Sequence, residues 1–405
     1  MSNLMVLCNP VCGNSTGKAL LDESVLPLLE KHGKKPDEVI VTKRLAHEGT
    51  AVLRFLETHG GDATVILLSG DGTLNEIINA ICAAEPKGAR LGAPASALRF
   101  VLVPCGTANA LYSSLFPPPK DNVLEMDLPY KLQSLNGFLA DAKTIPLTLA
   151  ISEISSPPSA VRTRPKIAVS AVVTSTALHA VLLHDSEALR LQIPTMERFK
   201  IAAQNNITKW YNSAVKLFPV PSVGVVQIYD PTKKEFVEHE DSHLDDPIVD
   251  VEGPFGYFLS TVNVDRLEPV FRIAPLQKAI PPVAASVDIV MVRPLRDPSL
   301  SMDSEETRKA FVEKATKILQ GAYKDGSHVD MRYTEKGEIV MDGDGPAVVE
   351  YIRCGGWEWN PDDTDEPAHL LCADGAIFRI ESGGRVMCKA ATPDDNAGFH
   401  IYVAS

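Results

Sequence analysis

The sequence predicts an α/β protein, with an N-terminal parallel-sheet α/β domain followed by a larger β-sandwich-like domain. Three observations point there. The first third alternates short β-rich runs with helical stretches; the runs at 65–68 and 100–103 are apolar without interruption; and beyond Pro117, Pro118 and Pro119 strands outnumber helices. Uninterrupted apolar strands are those buried on both faces, as in a parallel sheet covered by helices.

Residues 4–7 read as a first strand, 18–32 as helical, 39–42 as strand, 47–59 as helical, 64–68 as strand, 74–83 as helical, 100–103 as strand and 107–115 as helical. Each strand then ends in a turn that can meet a ligand. The proline run breaks the last helix, and the boundary falls at 135, leaving 136–405 to the β-rich domain. There 147–154, 167–174, 222–228, 256–264, 286–292, 339–341, 348–352, 369–372, 376–380 and 400–403 read as strands, with helices near 196–217 and 304–319. Acidic, proline-containing stretches near 238–253 and 361–367 read as solvated loops.

The 405 residues are too many for one ordinary core and suggest two domains. A net charge of -13 opposes binding to nucleic acid and to strongly anionic membranes. Seven cysteines without a Cys-x-x-Cys pair give no zinc site and fit reduced thiols in the cytoplasm. The apolar start is too short for a signal peptide, and the apolar tract 168–183 is interrupted by Ser170, Thr174, Ser175, Thr176 and His179. Membrane contact is therefore expected to be peripheral and transient, with no transmembrane segment.

Three strand ends carry chemistry. At the first, Ser69-Gly70-Asp71-Gly72-Thr73 lies where a buried strand hands over to a helix. A helix N-terminus offers free N–H groups to a phosphate, and glycines let the backbone approach it. Asp71 reads either as a carboxylate beside a transferring phosphoryl group or as a helix cap. At the second, Pro104-Cys105-Gly106-Thr107-Ala108-Asn109 repeats the design, with Thr107 and Asn109 able to cap the helix or to bond phosphate and ribose oxygens. The third, from Asn9 and Pro10 through Gly13, Asn14 and Ser15 to Lys18, fits neither a Walker A loop nor a dinucleotide fingerprint.

Asn9-Pro10-x-x-Gly13, Thr42 with His47, Ser69 to Thr73, and Pro104-x-Gly106-Thr107-x-Asn109, in this order, resemble the catalytic domain shared by diacylglycerol kinases and sphingosine kinases. The resemblance covers residues 1–116 and continues more thinly beyond. It implies an ATP-dependent lipid kinase that moves the γ-phosphoryl of ATP, with Mg²⁺, to a primary hydroxyl of a sphingoid long-chain base or a diacylglycerol. It makes Asp71 the catalytic residue. It places Asn9, Pro10, Gly13, Thr42, Ser69, Gly70, Gly72, Thr73, Gly106, Thr107 and Asn109 on the nucleotide, and assigns no residue to a protein-held metal. Ser186-Glu187-x-x-Arg190 with Arg198 resembles the segment that sends a Glu and two Arg to the nucleotide, and Asp342-Gly343-Asp344 stands where the family has Asp-Gly-Glu. Val181 stands where sphingosine kinases carry an Asp that meets the lipid head. Two rival readings are an NAD kinase-like enzyme, which also uses a Gly-Asp-Gly turn, and a lipid- or nucleotide-binding protein of this fold with weakened catalysis.

Overall fold

A computed structural model describes residues 3–13, 15–42, 47–92, 96–118, 127–157, 164–190, 192–193, 197–391 and 399–404. Asn14 and the 119–121 end of the proline break lie outside the described residues. The chain divides into two compact units, one of residues 1–149, 266–269 and 391–405, the other of 150–265 and 270–390.

In the first unit, β1 (Asn3–Cys8), β2 (Glu38–Val41), β3 (Ala63–Ser69) and β4 (Ser96–Pro104) pair in parallel in the order β2-β1-β3-β4. The sheet continues through the chain's last strand, Phe399–Ala404, parallel to β4, and ends at β5 (Thr144–Pro146), which is antiparallel to it. Alternate residues of the strands face opposite layers. Leu4, Val6, Cys8, Ile66, Leu68, Val101 and Val103 form one core with Leu21, Val25, Leu29 and Leu135. The helix Asp71–Ala83 buries Leu74, Ile77, Ile78 and Ile81, spaced so that they share one face. Each such side chain contributes about 1.5–3 kcal/mol of transfer free energy.

Helix His47–His59 buries Ala51, Val52, Phe55 and Leu56 in the same manner. Because parallel neighbours need crossover connections, the strands β1 to β4 deliver their carboxyl ends, with the turns that follow them, to the same edge.

The second unit holds, among the described residues, an eight-stranded and a six-stranded sheet, each with antiparallel pairings. Strand Tyr257–Thr261 lies inside the first and strand Gly356–Pro361 inside the second. They meet face to face: the Phe258 ring lies 5.2 Å from those of Trp357 and Trp359, and Trp357 Nε1 donates to Ser260 Oγ at 3.0 Å. Asp374 holds the turn that leads from a strand of the six-stranded sheet, Lys166–Ser170, to one of the eight-stranded sheet, Val173–Thr176, its carboxylate accepting the N–H groups of Ala171, Val172 and Val173.

Several segments differ from the expectation. Residues 177–189 are a helix, and Ser213–Phe218, expected inside a helix near 196–217, is a strand whose residues alternate between buried and half-buried. That helix buries Ala177, Leu178, Ala180 and Val181 and carries apolar residues nearly all round, so no amphipathic stripe marks it in the sequence. The stretch 238–253 is partly ordered, since Val249–Glu252 pairs with Ser213–Phe218. In 361–367, Asp365 accepts the Asn212 N–H at 2.7 Å. Residues 399–404, read from sequence as part of the β-rich domain, complete the parallel sheet instead.

Trp357→Phe removes the Nε1–H that Ser260 Oγ accepts and leaves a gap where the larger buried indole ring stood. We expect a loss of about 1–3 kcal/mol in denaturant unfolding of the second unit.

Candidate functional site

The three loops singled out in the sequence converge at the carboxyl edge of the parallel sheet. Gly70 caps the helix Asp71–Ala83, with no side chain bonding its first N–H groups. A Cβ on Gly70 would lie 2.9 Å from Gly106 Cα, and one on Gly106 would lie 2.6 Å from Gly70 Cα and 2.8 Å from Asn109 Oδ1. The turns after β3 and β4 therefore touch backbone to backbone. Gly13, at a φ of +53°, would put a Cβ 2.2 Å from the Cys105 carbonyl oxygen, which seats the loop after β1 on the turn after β4. Asn9 Nδ2 closes the remaining side by donating to Thr73 Oγ1 at 3.4 Å.

Asp71 caps a helix, but not its own. Its Oδ2 accepts the Ala110 N–H at 2.6 Å and its Oδ1 the Leu111 N–H at 3.2 Å, so it closes the start of the helix Ala110–Leu115. Burial pushes its carboxyl above the ordinary range, against the downward pull of those two N–H groups. A cavity of about 20 Å³, the room one water takes, lies beneath it against Ser69, Leu74 and Tyr112.

Asn109 is 5% exposed and sits in the left-handed region at a φ of 53°. Its side chain accepts the Gly106 N–H at 2.9 Å and donates to the Gly106 carbonyl at 2.8 Å. The amide expected on phosphate or ribose is thus committed to shaping its own turn, a task for which Asn suits. Thr42 is buried, and its hydroxyl donates to Glu48 Oε1 at 3.0 Å. Its proton is therefore turned away from any ligand. Thr107 and Gly72 are exposed, Pro10 and Ser69 flank the loops they belong to, and no atom comes within 4 Å of a Cβ on Gly72.

The other candidates belong to the second unit. Glu187 and Arg190 pair at 3.0 Å with both side chains more than half exposed, a solvated pair of small energetic weight. Arg198 lies over the Phe199 ring at 4.4 Å. Asp342 and Asp344 are exposed in the turn around Gly343. Val181 is 3% exposed in the helix Ala177–Leu189, an apolar packing residue. His179 accompanies it in the core, with Nδ1 2.7 Å from Ser175 Oγ and a pKa lowered to about 4 by burial.

Sequence reasoning missed Cys12 and Glu48. Cys12 is half-buried beside Gly70, its thiol held by Ser69 and the Gly70 backbone and pushed up by burial. Glu48 directly follows His47 in the segment already quoted, but a Glu in the first turn of a helix reads as solvated, so nothing local marks it as buried.

No curated protein matches the chain in sequence. Among solved structures, two from Bacillus anthracis str. Sterne that carry diacylglycerol kinase names align over the whole chain. One has a TM-score of 0.53 at 14% identity, covering 95% of its own length, and the other 0.50 at 11% identity, covering 96%. At such identities they speak for the fold. A yeast NADH kinase complexed with NADH aligns at a TM-score of 0.43 and 9% identity, too loosely to argue from. The diacylglycerol kinase catalytic domain family matches residues 3–134, about a third of the chain, and this match spans all three converging loops. By that match residues 3–134 are similar to the diacylglycerol kinase catalytic domain.

Proposed function

We propose that the chain is an ATP-dependent lipid kinase that transfers the γ-phosphoryl group of ATP to a primary hydroxyl of a lipid alcohol, a diacylglycerol or a sphingoid long-chain base. The observation that carries the reading is the backbone contact of Gly70 with Gly106 around Asp71. It leaves a cradle that any Cβ would fill, beside a long helix whose first N–H groups have no side-chain cap. The start of the neighbouring helix is closed by Asp71. Of the two helix ends, the one at Asp71–Thr73 is therefore the one suited to phosphate.

ATP fits this arrangement of small residues and N–H donors. Mg²⁺ would accompany the nucleotide, as the resemblance implies. When bound, it would supply charge neutralisation at the phosphates. Asp71 keeps unused lone pairs on both oxygens and accepts the proton of the attacking hydroxyl or holds that hydroxyl in line. Asn109, Gly13 and Asn9 hold the loops in register. For Glu187, Arg190, Arg198, Asp342 and Asp344 the reading keeps the nucleotide contacts implied by the resemblance, with the two guanidiniums opposing phosphate charge.

Val181 offers no charge to a sphingoid amine, which favours a neutral lipid head. Membrane contact would be peripheral and transient, in a cytoplasmic protein; no helix among the described residues is long and apolar enough to cross a bilayer.

The test incubates the protein with labelled ATP, Mg²⁺ and a panel of diacylglycerols, sphingoid bases and NAD. We expect label in a lipid, and Asp71→Asn to lower the rate by about 10²–10⁴-fold; label in NAD alone, or a wild-type rate for the variant, would refute the reading. Because the raised Asp71 carboxyl must be ionised to accept a proton, the acid limb of kcat/KM should lie above the ordinary carboxylate range of about 4. Gly106→Ala should weaken ATP binding at least about tenfold in a titration, by forcing the two turns apart. Maleimide labelling of Cys12, followed by peptide mapping, should slow when ATP occupies the adjacent turn.

A further inference from the structure

Two acids, one buried and one half-buried, lie behind the loops without a part in the proposed chemistry. Glu48, in the first turn of the helix His47–His59, is 2% exposed, and Glu76 belongs to the helix that starts at Asp71. Glu48 spends Oε1 on the Thr42 hydroxyl, while its Oε2 is buried without a donor; Glu76 Oε1 is buried without a donor as well. The two side chains are within hydrogen-bonding reach of each other. Gly49 lets their helices close up, since a Cβ there would lie 2.6 Å from Ala80 Cβ and 3.3 Å from the Glu76 carbonyl oxygen.

Two ionised carboxylates can only accept, so they leave both orphan oxygens unsatisfied and repel each other. One proton between them makes a donor of one and an acceptor of the other, and removes half the charge from the contact. The other titratable groups in reach supply no alternative. Cys12 feels both Asp71 and Glu48 as raising influences, and His47 Nδ1 is itself buried without a partner.

We propose that Glu76 holds a proton in the folded protein and shares it with Glu48 through a hydrogen bond in which Glu48 accepts, and that this pair fastens the helix His47–His59 to the helix beginning at Asp71 and fixes Thr42 at the end of β2. Thr42 in turn donates its N–H to the Cys8 carbonyl, next to Asn9, so the pair acts on the loops through the end of β1. Both acids are positioning residues. Burial and the neighbouring Glu48 hold the Glu76 carboxyl above its ordinary range. A group raised on folding contributes stability that is complete at low pH and is lost as pH rises through the raised value.

The experiment melts the wild-type protein, Glu76→Gln and Glu48→Gln between pH 5 and pH 9. Either glutamine gives the facing carboxylate a permanent N–H donor, so each variant's curve should flatten. The wild-type midpoint should fall by about 4 °C relative to Glu76→Gln as pH rises from 5 to 9. Curves for both variants that run parallel to the wild type overturn the shared proton. The link to the loops rests on the ATP reading above: the wild-type KM for ATP should rise about threefold relative to Glu76→Gln over the same range. A constant KM ratio with diverging melting curves overturns that link alone. Absence of ATP turnover in all three proteins counts against the kinase reading, while the melting curves still decide the pair.

Discussion

A Cβ on Gly106 would reach to 2.6 Å from the Gly70 Cα, and the rest of the site depends on that approach being open. Only where neither turn carries a side chain can the ends of β3 and β4 close to backbone contact. The closure brings Asp71 to the N–H groups of Ala110 and Leu111 and lets Asn109 fold back on Gly106. It also gives the loop after β1 a floor, since Gly13 rests on the Cys105 carbonyl. Separating the two turns would uncap one helix and unseat a loop at once.

Asp71 carries two demands that pull in opposite directions. As a cap it stabilises an ionised carboxylate, each hydrogen bond to the charge contributing about 1.5–3 kcal/mol; as a group withdrawn from solvent it is pushed toward the neutral form. The net shift is upward, which means desolvation outweighs the two N–H groups. A carboxyl poised above its ordinary range is a better proton acceptor once ionised than a strongly stabilised one, so a cap at half strength and a base at useful strength are the same compromise. The left-handed Asn109 relieves Asp71 of holding the turn alone, because it supplies two bonds to Gly106 independently of charge.

Legibility in the sequence follows the range of the interaction. The stretches 65–68 and 100–103 of the strands Ala63–Ser69 and Ser96–Pro104 announce themselves because burial on both faces leaves no polar residue in them. The glycine turns are visible for an equally local reason, and their order along the chain carries the resemblance. What Asp71 binds is not visible, because Ala110 and Leu111 lie 39 and 40 residues away. The C-terminal strand is hidden likewise: nothing local tells whether Phe399–Ala404 pairs with antiparallel neighbours or with β4. The helix Ala177–Leu189 is obscured by its own composition, since apolar residues on nearly all sides erase the period that would reveal it.

Glu48 shows why charge is the hardest feature to read. A net charge of -13 argues against polyanions as partners, yet the loops suited to phosphate sit in this acidic chain. The two facts agree once the source of attraction is considered. Among the described residues Lys18 is the cation of the first loop, and it is paired with Asp22 one helical turn away. The attraction on offer in this unit comes from N–H groups and the helix dipole at Asp71–Thr73, which act within the first turn and fade beyond it. Recognition of that kind is blind to global charge. Under the proposed function it would select for a compact anion and leave most neutralisation to the cation that anion brings, so an acidic surface would repel polyanions without hindering a chelated nucleotide.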